Sequence, residues 1–315
     1  MLFLNKGLPV CFGTWGLGGE NTISGTPLGW PNIDYNKSRL LLEHAYDRGI
    51  RFFDTSDFYG SGKSERLLKD AFSKNFSQVY ISTKGGIKAE TMKNPKALQK
   101  DFSPSYIRNQ VFKSLENLGR DSIDLYMLHG PYLSDITEEL LFCLDDLKRQ
   151  KVIMNAGVSM RRSKFRETYQ AFSQFSQFDT LQFQYNATRF EDIDFINELK
   201  CKEKMNMARS LFSHGLLLKE GGGFEFSKED HRIDKVDEKL KEKVKCYREL
   251  LKKRLDITPL YAALYLAVRN RNVDLSVIGF TSVQQIDEAI ELLALIMDKR
   301  DDCFESILEI AKEIF

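Results

Sequence analysis

The strongest constraint on this chain is an alternation that runs along most of its length. Short runs rich in β-branched and aromatic residues recur, each followed by a longer amphipathic stretch. The strand-like runs are 10–14 (VCFGT), 50–55 (IRFFDT), 79–84 (VYISTK), 123–129 (IDLYMLH), 152–159 (VIMNAGVS), 180–186 (TLQFQYN), 205–211 (MNMARSL) and 275–280 (LSVIGF). Helix-like stretches fall at 36–49, 64–75, 104–119, 137–150, 163–175, 191–203, 236–269 and 282–297, with one more at 302–314. Ser103-Pro104 and Thr258-Pro259 each put a capping hydroxyl before a proline at the first helical position, and the second pair divides 236–269 into two helices. Strands alternating with helices imply βαβ units and a parallel sheet. Eight such strands are what a closed barrel requires. An open doubly wound sheet is the alternative. Its G-x-G-x-x-G turn is missing: GTWGLGG (13–19) leads into Pro27, Gly29, Trp30 and Pro31, so 15–35 reads as a loop or hairpin. The expectation is an α/β protein, a (β/α)8 TIM barrel forming a single domain over 1–315. Long loops follow strands 3 and 7 (85–103 and 212–235), and an extra C-terminal helix ends the chain.

Composition narrows the classes of function. Lys and Arg number 46 against 45 Asp and Glu, a net charge of +1, so no global field attracts nucleic acid or an anionic membrane. The N-terminus MLFLNKGLPV lacks a signal-peptide pattern, and no apolar run approaches the ~20 residues that span a bilayer, so a cytoplasmic protein is expected. The five cysteines (Cys11, Cys143, Cys201, Cys246, Cys303) form no C-x-x-C pair, and His214 and His231 have no partners at ligand spacing; no metal is expected. Gly221-Gly222-Gly223 has no following Lys-Ser or Lys-Thr and reads as a lid edge. The lysine-rich stretch 235–254 is interleaved with acids and reads as a solvated helix face.

In a barrel of this kind, catalytic side chains come from the C-terminal ends of strands. Asp54 ends IRFF, Lys84 ends VYIST and His129 ends IDLYML, while Tyr59 lies five residues past Asp54. Each has a bland reading as a loop cap, a snorkelling lysine, a turn histidine or a packed aromatic. Their coincidence on one rim favours a joint role. A lysine ammonium near a tyrosine would lower the phenol below its usual ~10. Asp54 would hold Lys84 charged, and His129 would hydrogen-bond a substrate oxygen. Such a set can pass a proton to a carbonyl oxygen without a metal.

These residues resemble the aldo-keto reductase family. GIRFFDTSDFYGSGKSERLL (49–68) is similar to the segment around that family's catalytic Asp and Tyr, ISTKGG (81–86) to the strand of its lysine, and SPSYIRNQVFKSLENLGRDSIDLYMLHGP (103–131) to the helix and strand leading to its histidine. The resemblance runs from about 8 to 297. It implies an NAD(P)H-dependent oxidoreductase acting on an aldehyde, ketone or sugar carbonyl, with Tyr59 as general acid, Lys84 as its modulator, Asp54 as the partner of Lys84, and His129 orienting the carbonyl. It also implies a bound NADP(H), or alternatively NAD(H), touching Gly13, Thr14, Trp15, Asp54, Ser159, Gln182, Arg209, Ser210, Leu211, Gly279, Thr281, Ser282, Gln285 and Glu288. Trp15, Trp30, Phe58 and Tyr132 are candidate walls for a small carbonyl substrate.

The chain departs from the family pattern at Met160, where an asparagine is usual, at Gln285 for arginine, at Ala289 for asparagine, and at Ile278 for proline. These changes touch the cofactor grip and leave NAD versus NADP open. The rival reading is a cofactor-binding regulatory subunit with little turnover; a Schiff-base aldolase using Lys84 is disfavoured by Asp54 beside it. A monomer or weak homo-oligomer is expected.

Overall fold

A computed structural model describes residues 7–23, 26–30, 33–88, 99–161, 163–200, 204–213, 215–218, 237–298 and 302–315, with the backbone alone described over 20–29. In chain order, β1 (Val10–Gly13) is followed by a hairpin, β2 (Glu20–Ile23) and β3 (Thr26–Gly29). Then come α1 (Tyr35–Asp47), β4 (Phe52–Asp54), α2 (Lys63–Phe72), β5 (Tyr80–Gly85), α3 (Pro104–Leu118), β6 (Leu125–His129) and α4 (Glu138–Arg149). The second half runs β7 (Ala156–Ser159), α5 (Phe165–Ser173), β8 (Thr180–Gln184), α6 (Phe190–Asn197), β9 (Met205–Arg209), α7 (Glu238–Leu255), α8 (Pro259–Arg269), β10 (Leu275–Ile278), α9 (Val283–Asp298) and α10 (Phe304–Ile314). Every strand except the hairpin pair joins one closed parallel barrel in the order β1-β10-β9-β8-β7-β6-β5-β4. This is the expected (β/α)8 architecture, and the segment 15–35 does hold a hairpin.

Side-chain caps start α1, α4, α7 and α8, whereas Ser103 precedes Pro104 of α3 but makes no capping hydrogen bond with its side chain. Thr258 accepts from the Tyr261 amide ahead of Pro259, and Asp237 accepts from the Leu240 amide, so 236–269 is two helices. Several strands are shorter than their β-branched runs. Val152 and Ile153 remain tied to Leu147 at the end of α4, with Lys151 at φ 58°; Ile153 makes one isolated parallel bridge to Ile123, and the continuous strand starts only at Ala156. The glycine run 221–223, His214, His231, Cys201 and residues 89–98 lie outside the described residues.

Side chains alternate in and out along each strand. The inward set is layered along the barrel axis. At the N-terminal end, Cys11, Phe52, Leu125, Met127, Met207 and Leu275 form an apolar cluster, bordering a half-open cavity of about 190 Å³. Two residues further along the same strands the set turns polar. Phe52 gives way to Asp54, Met127 to His129 and Met207 to Arg209. The larger core fills the space between barrel and helices, with Phe12, Phe53, Leu128, Val158, Leu181 and Ala208 facing outward into it.

Candidate active site

Register brings the polar layer together. Gly13 pairs with Asp54, Asp54 with Ser82, His129 with Ser159, and Ser159 with Gln182. Lys84 Nζ donates to Asp54 Oδ2 at 2.6 Å and to the Thr55 carbonyl at 2.7 Å. The other carboxylate oxygen, Oδ1, accepts from Ser82 Oγ at 2.8 Å and Gln182 Nε2 at 3.0 Å. Ser159 Oγ in turn donates to Gln182 Oε1 at 2.7 Å. Both members of the ion pair are buried, Lys84 at 1% exposure. Such a pair survives burial only with hydrogen bonds to its remaining lone pairs and protons, and here both carboxylate oxygens accept and the ammonium donates to two oxygens.

Tyr59 sits half-buried above this pair. Lys84 Nζ lies 5.2 Å from its ring centroid, and the His129 ring is 6.1 Å away, edge to face. Burial pushes the Tyr59 phenol above its ordinary value; Lys84 pulls it down but does not win. From the sequence a net lowering is expected, because the charge of Lys84 is legible there; the loss of water around the hydroxyl and the opposing charge of Asp54 are not. Burial pushes the Lys84 ammonium toward losing its proton, but Asp54, with Tyr59, outweighs it, and Lys84 titrates above its usual range. His129 is held well below its ordinary value by burial first, then by Lys84, Lys100 and Arg209. It is a neutral imidazole. Lys100 Nζ donates to the His129 carbonyl at 3.0 Å, and burial, then Arg161, brings its ammonium down to about 8.

Three hydroxyls support the loop, and of these the sequence singled out Thr14, as a cofactor contact, but not Ser64 or Thr55. Thr14 Oγ1 donates to the Asp54 carbonyl at 3.1 Å, Ser64 Oγ to Thr14 Oγ1 at 2.6 Å, and Thr55 Oγ1 to Ser64 Oγ at 2.9 Å. Gly60 is required by close approach. At φ 60°, a Cβ there would stand 1.8 Å from the Gly18 carbonyl oxygen. Ser82 had a legible signal, two residues before Lys84 on the same strand face. Ser64 had none, since it arrives from a neighbouring helix.

The candidate cofactor residues fall into two groups. Near the tetrad, Ser159, Gln182 and Arg209 close the polar layer. The Arg209 guanidinium donates to the Met160 carbonyl at 2.9 Å, while its buried Nε has no hydrogen-bond partner. Ser210 adopts φ 59°, a costly conformation for a non-glycine residue, with its carbonyl held by Asn186 Nδ2 at 2.9 Å. Leu211 is buried beside it. An orphaned buried donor beside free amide and hydroxyl capacity fits a nicotinamide dinucleotide with its acidic groups. Met160 is buried in the core and contributes backbone only: its amide donates to the Gln182 carbonyl at 2.7 Å.

The second group lies at the start of α9. Ser282 Oγ accepts from the Gln285 amide at 3.3 Å, and Gln285 Oε1 accepts from the Thr281 amide at 2.8 Å and its hydroxyl at 3.1 Å. Gln285 is thus spent on a capping arrangement. Glu288 is exposed, Ala289 and Ile278 are buried in the core, and Gly279 lies at the end of β10, 3.6 Å (from its ideal Cβ position) from the Gly13 carbonyl.

The proposed pocket walls separate. Trp15 meets Tyr59 edge to face at 4.7 Å between ring centroids and stacks on Phe58 at 6.4 Å. Phe58 is buried in a small cluster with Ile87, so it packs the loop. Tyr132 is more than half exposed beneath Arg161, whose guanidinium lies 4.0 Å from its ring centroid. Among the described residues no group of three His, Cys, Asp or Glu could hold a metal, and no helix is long and apolar enough to cross a membrane.

Residues 9–311 match the sequence profile described as the Aldo/keto reductase family. The uncharacterized oxidoreductase YqkF of Bacillus subtilis is 33% identical over 151 residues, 46% of this chain and 49% of that protein. The NADH-specific methylglyoxal reductase of Escherichia coli is 30% identical over 186 residues, 55% of this chain and 54% of that one. These matches span about half the length of either relative. In fold, the holo form of the aldo-keto reductase AKR11C1 from Bacillus halodurans superimposes with a TM-score of 0.72 at 21% identity, covering 97% of this chain and 91% of that one.

Proposed function

Because this chain belongs to the aldo/keto reductase family, a family of NAD(P)-dependent oxidoreductases, we propose that it reduces the carbonyl of an aldehyde, ketone or sugar, with Tyr59 delivering the proton. The observation that carries this reading is the buried, hydrogen-bonded Lys84–Asp54 pair directly under a tyrosine that burial keeps protonated. A reduced nicotinamide, when bound, supplies the hydride. The chain's own residues do the rest. Neutral His129 offers a ring nitrogen to the carbonyl oxygen and fixes its direction. Tyr59 hands its proton to that oxygen as negative charge develops there, and Lys84 stabilises the phenolate left behind. Ser159, Gln182 and Arg209 would hold the nicotinamide end. Trp15, Trp30 and Tyr132 would flank the substrate.

Tyr59→Phe is expected to reduce turnover by roughly 10²–10⁴-fold while NADH binding stays within a few-fold. Stopped-flow reduction of a small aldehyde, beside a cofactor titration, measures both. Near-wild-type turnover in this variant would sink the role of Tyr59 and favour the regulatory-subunit reading.

For the adenosine end we infer that NADH serves at least as well as NADPH. The position expected to carry an arginine holds Gln285, which is neutral and occupied with the helix cap. A 2′-phosphate is best held by a charge-assisted fork that this residue lacks. The similarity to an NADH-specific methylglyoxal reductase points the same way. Steady-state comparison of the two cofactors should give kcat/KM values for NADH no lower than those for NADPH; a hundredfold advantage for NADPH would refute the inference.

A further inference from the structure

We propose that Ser56 and Asp57 fix the tautomer of His129, placing its proton on Nε2, where it can be donated to the substrate oxygen; this rests on the reductase reading above. The Ser56 hydroxyl has four neighbours within hydrogen-bond reach. They are His129 Nδ1 at 3.2 Å, the Lys84 carbonyl at 3.1 Å, Asp57 Oδ1 at 3.2 Å and the Phe58 amide at 3.2 Å. A hydroxyl offers one hydrogen and two lone pairs. The Phe58 N–H occupies one lone pair. One lone pair and one hydrogen remain for three groups, and the Lys84 carbonyl can only accept.

The count turns on Asp57. If its carboxyl is ionised it can only accept, the hydroxyl hydrogen goes to it or to the Lys84 carbonyl, and the last lone pair accepts an N–H from His129 Nδ1. That leaves Nε2 bare. If the carboxyl carries a proton, the proton sits on Oδ1, the oxygen that has an acceptor beside it. Asp57 then donates to Ser56 and fills the last lone pair. Ser56 can meet Nδ1 only as a donor, and the ring proton must be on Nε2.

The surroundings of Asp57 decide between these cases. Its Oδ2 is buried with no hydrogen-bond partner. An ionised carboxylate in that position leaves half its charge unsolvated, which is costly. The titratable groups facing it are Glu65 from α2, Lys113 from α3 and Tyr126 from β6, whose own hydroxyl is likewise buried and unpartnered. Lys113 pulls the carboxyl the other way, less than burial and Glu65 push it up. Burial first, and then the like charge of Glu65, push the Asp57 carboxyl well above the usual carboxylate range. Glu65 is fully buried but is the better hydrogen-bonded of the two acids, accepting from Thr83 Oγ1 at 2.7 Å and Asn117 Nδ2 at 2.9 Å. Gly85 leaves room for this corner: a Cβ there would stand 2.0 Å from Tyr126 Oη and 3.2 Å from Asp57 Oδ2. Ser56 and Asp57 are positioning residues, since they act on the substrate only through His129.

Long-range proton–nitrogen NMR of the full chain, labelled with ¹⁵N-histidine, reads the tautomer directly. A His129→Asn variant assigns the signal among the four histidines of the sequence. The wild type is expected to show a bare Nδ1 and a protonated Nε2. Asp57→Asn keeps a donor facing Ser56 and should leave both the signal and the reduction rate within about twofold of wild type. Asp57→Ala frees the lone pair, so Nδ1 should become protonated. Ser56→Ala should give averaged tautomer shifts and a roughly three- to tenfold fall in kcat/KM for the carbonyl, at unchanged KM for NADH. A wild-type His129 protonated on Nδ1, or tautomer signals unchanged in Ser56→Ala, would overturn the proposal. The NMR readout needs no turnover. Its failure therefore leaves the reductase reading standing, just as an active Tyr59→Phe would leave the tautomer result intact.

Discussion

At the scale of single residues, the site is a balance between desolvation and charge. Lys84 shows this most plainly. Replacing it with methionine leaves Asp54 buried beside Ser82 and Gln182 with no cation. Breaking a buried pair from one side costs about 3–5 kcal/mol, so Lys84→Met should lower the urea midpoint as well as stopping turnover. Lys84→Met with Asp54→Leu should recover part of that stability and none of the activity. Equilibrium unfolding of the single and double variants measures the difference. The same balance marks what could be read from the chain alone. Asp54, Lys84 and His129 are legible because each closes an apolar run, and a parallel barrel presents such ends at one mouth. The direction of the Tyr59 shift is not legible, because it depends on how much water the folded loop removes. Ser56 and Asp57 are not legible either. Their reach to His129 depends on β4 lying beside β5 and β5 beside β6, and no spacing along the sequence encodes that.

At the scale of elements, the sequence encodes identities more sharply than boundaries. The β-branched run 152–159 becomes a strand only over its last four residues. Val152 and Ile153 are apolar because they climb from α4 to the barrel through the core, and burial asks for the same residue types as pairing does. The periodicity of the C-terminal segment marks the helix α10, and its apolar face is buried through Phe304, Ile307, Leu308, Ile310 and Ala311. Its polar side carries a two-pronged contact, Arg254 to Glu313 at 2.7 and 3.0 Å, out in solvent. Packing and not charge should therefore hold this helix. Leu308→Ala is expected to cost about 2–5 kcal/mol, while Glu313→Gln should leave the unfolding midpoint within experimental error. Urea titrations followed by far-UV circular dichroism compare the two.

At the scale of the whole molecule, the barrel is a column apolar at one end and polar at the other, and its polar end stores titrating groups away from water. His129 is held neutral in the fold, while the unfolded chain takes up a proton near 6.5. The folded value is the lower one, so stability is fully present above 6.5 and declines as pH falls below it, by up to about 1.4 kcal/mol per unit for one proton. His129→Asn should flatten that acid-side slope in a plot of Tm against pH; an unchanged slope would place the titrating group elsewhere. The mouth has one more property. The sequence contains two tryptophans, Trp15 and Trp30. Trp15 touches Tyr59, and Trp30 lies beside Gly16, 3.7 Å from where a Cβ would stand. All tryptophan emission from this protein therefore originates at the entrance to the barrel. With excitation at the red edge, where the twelve tyrosines do not absorb, a reduced nicotinamide arriving there would quench the tryptophan emission by energy transfer. The unlabelled protein carries its own optical gauge of occupancy.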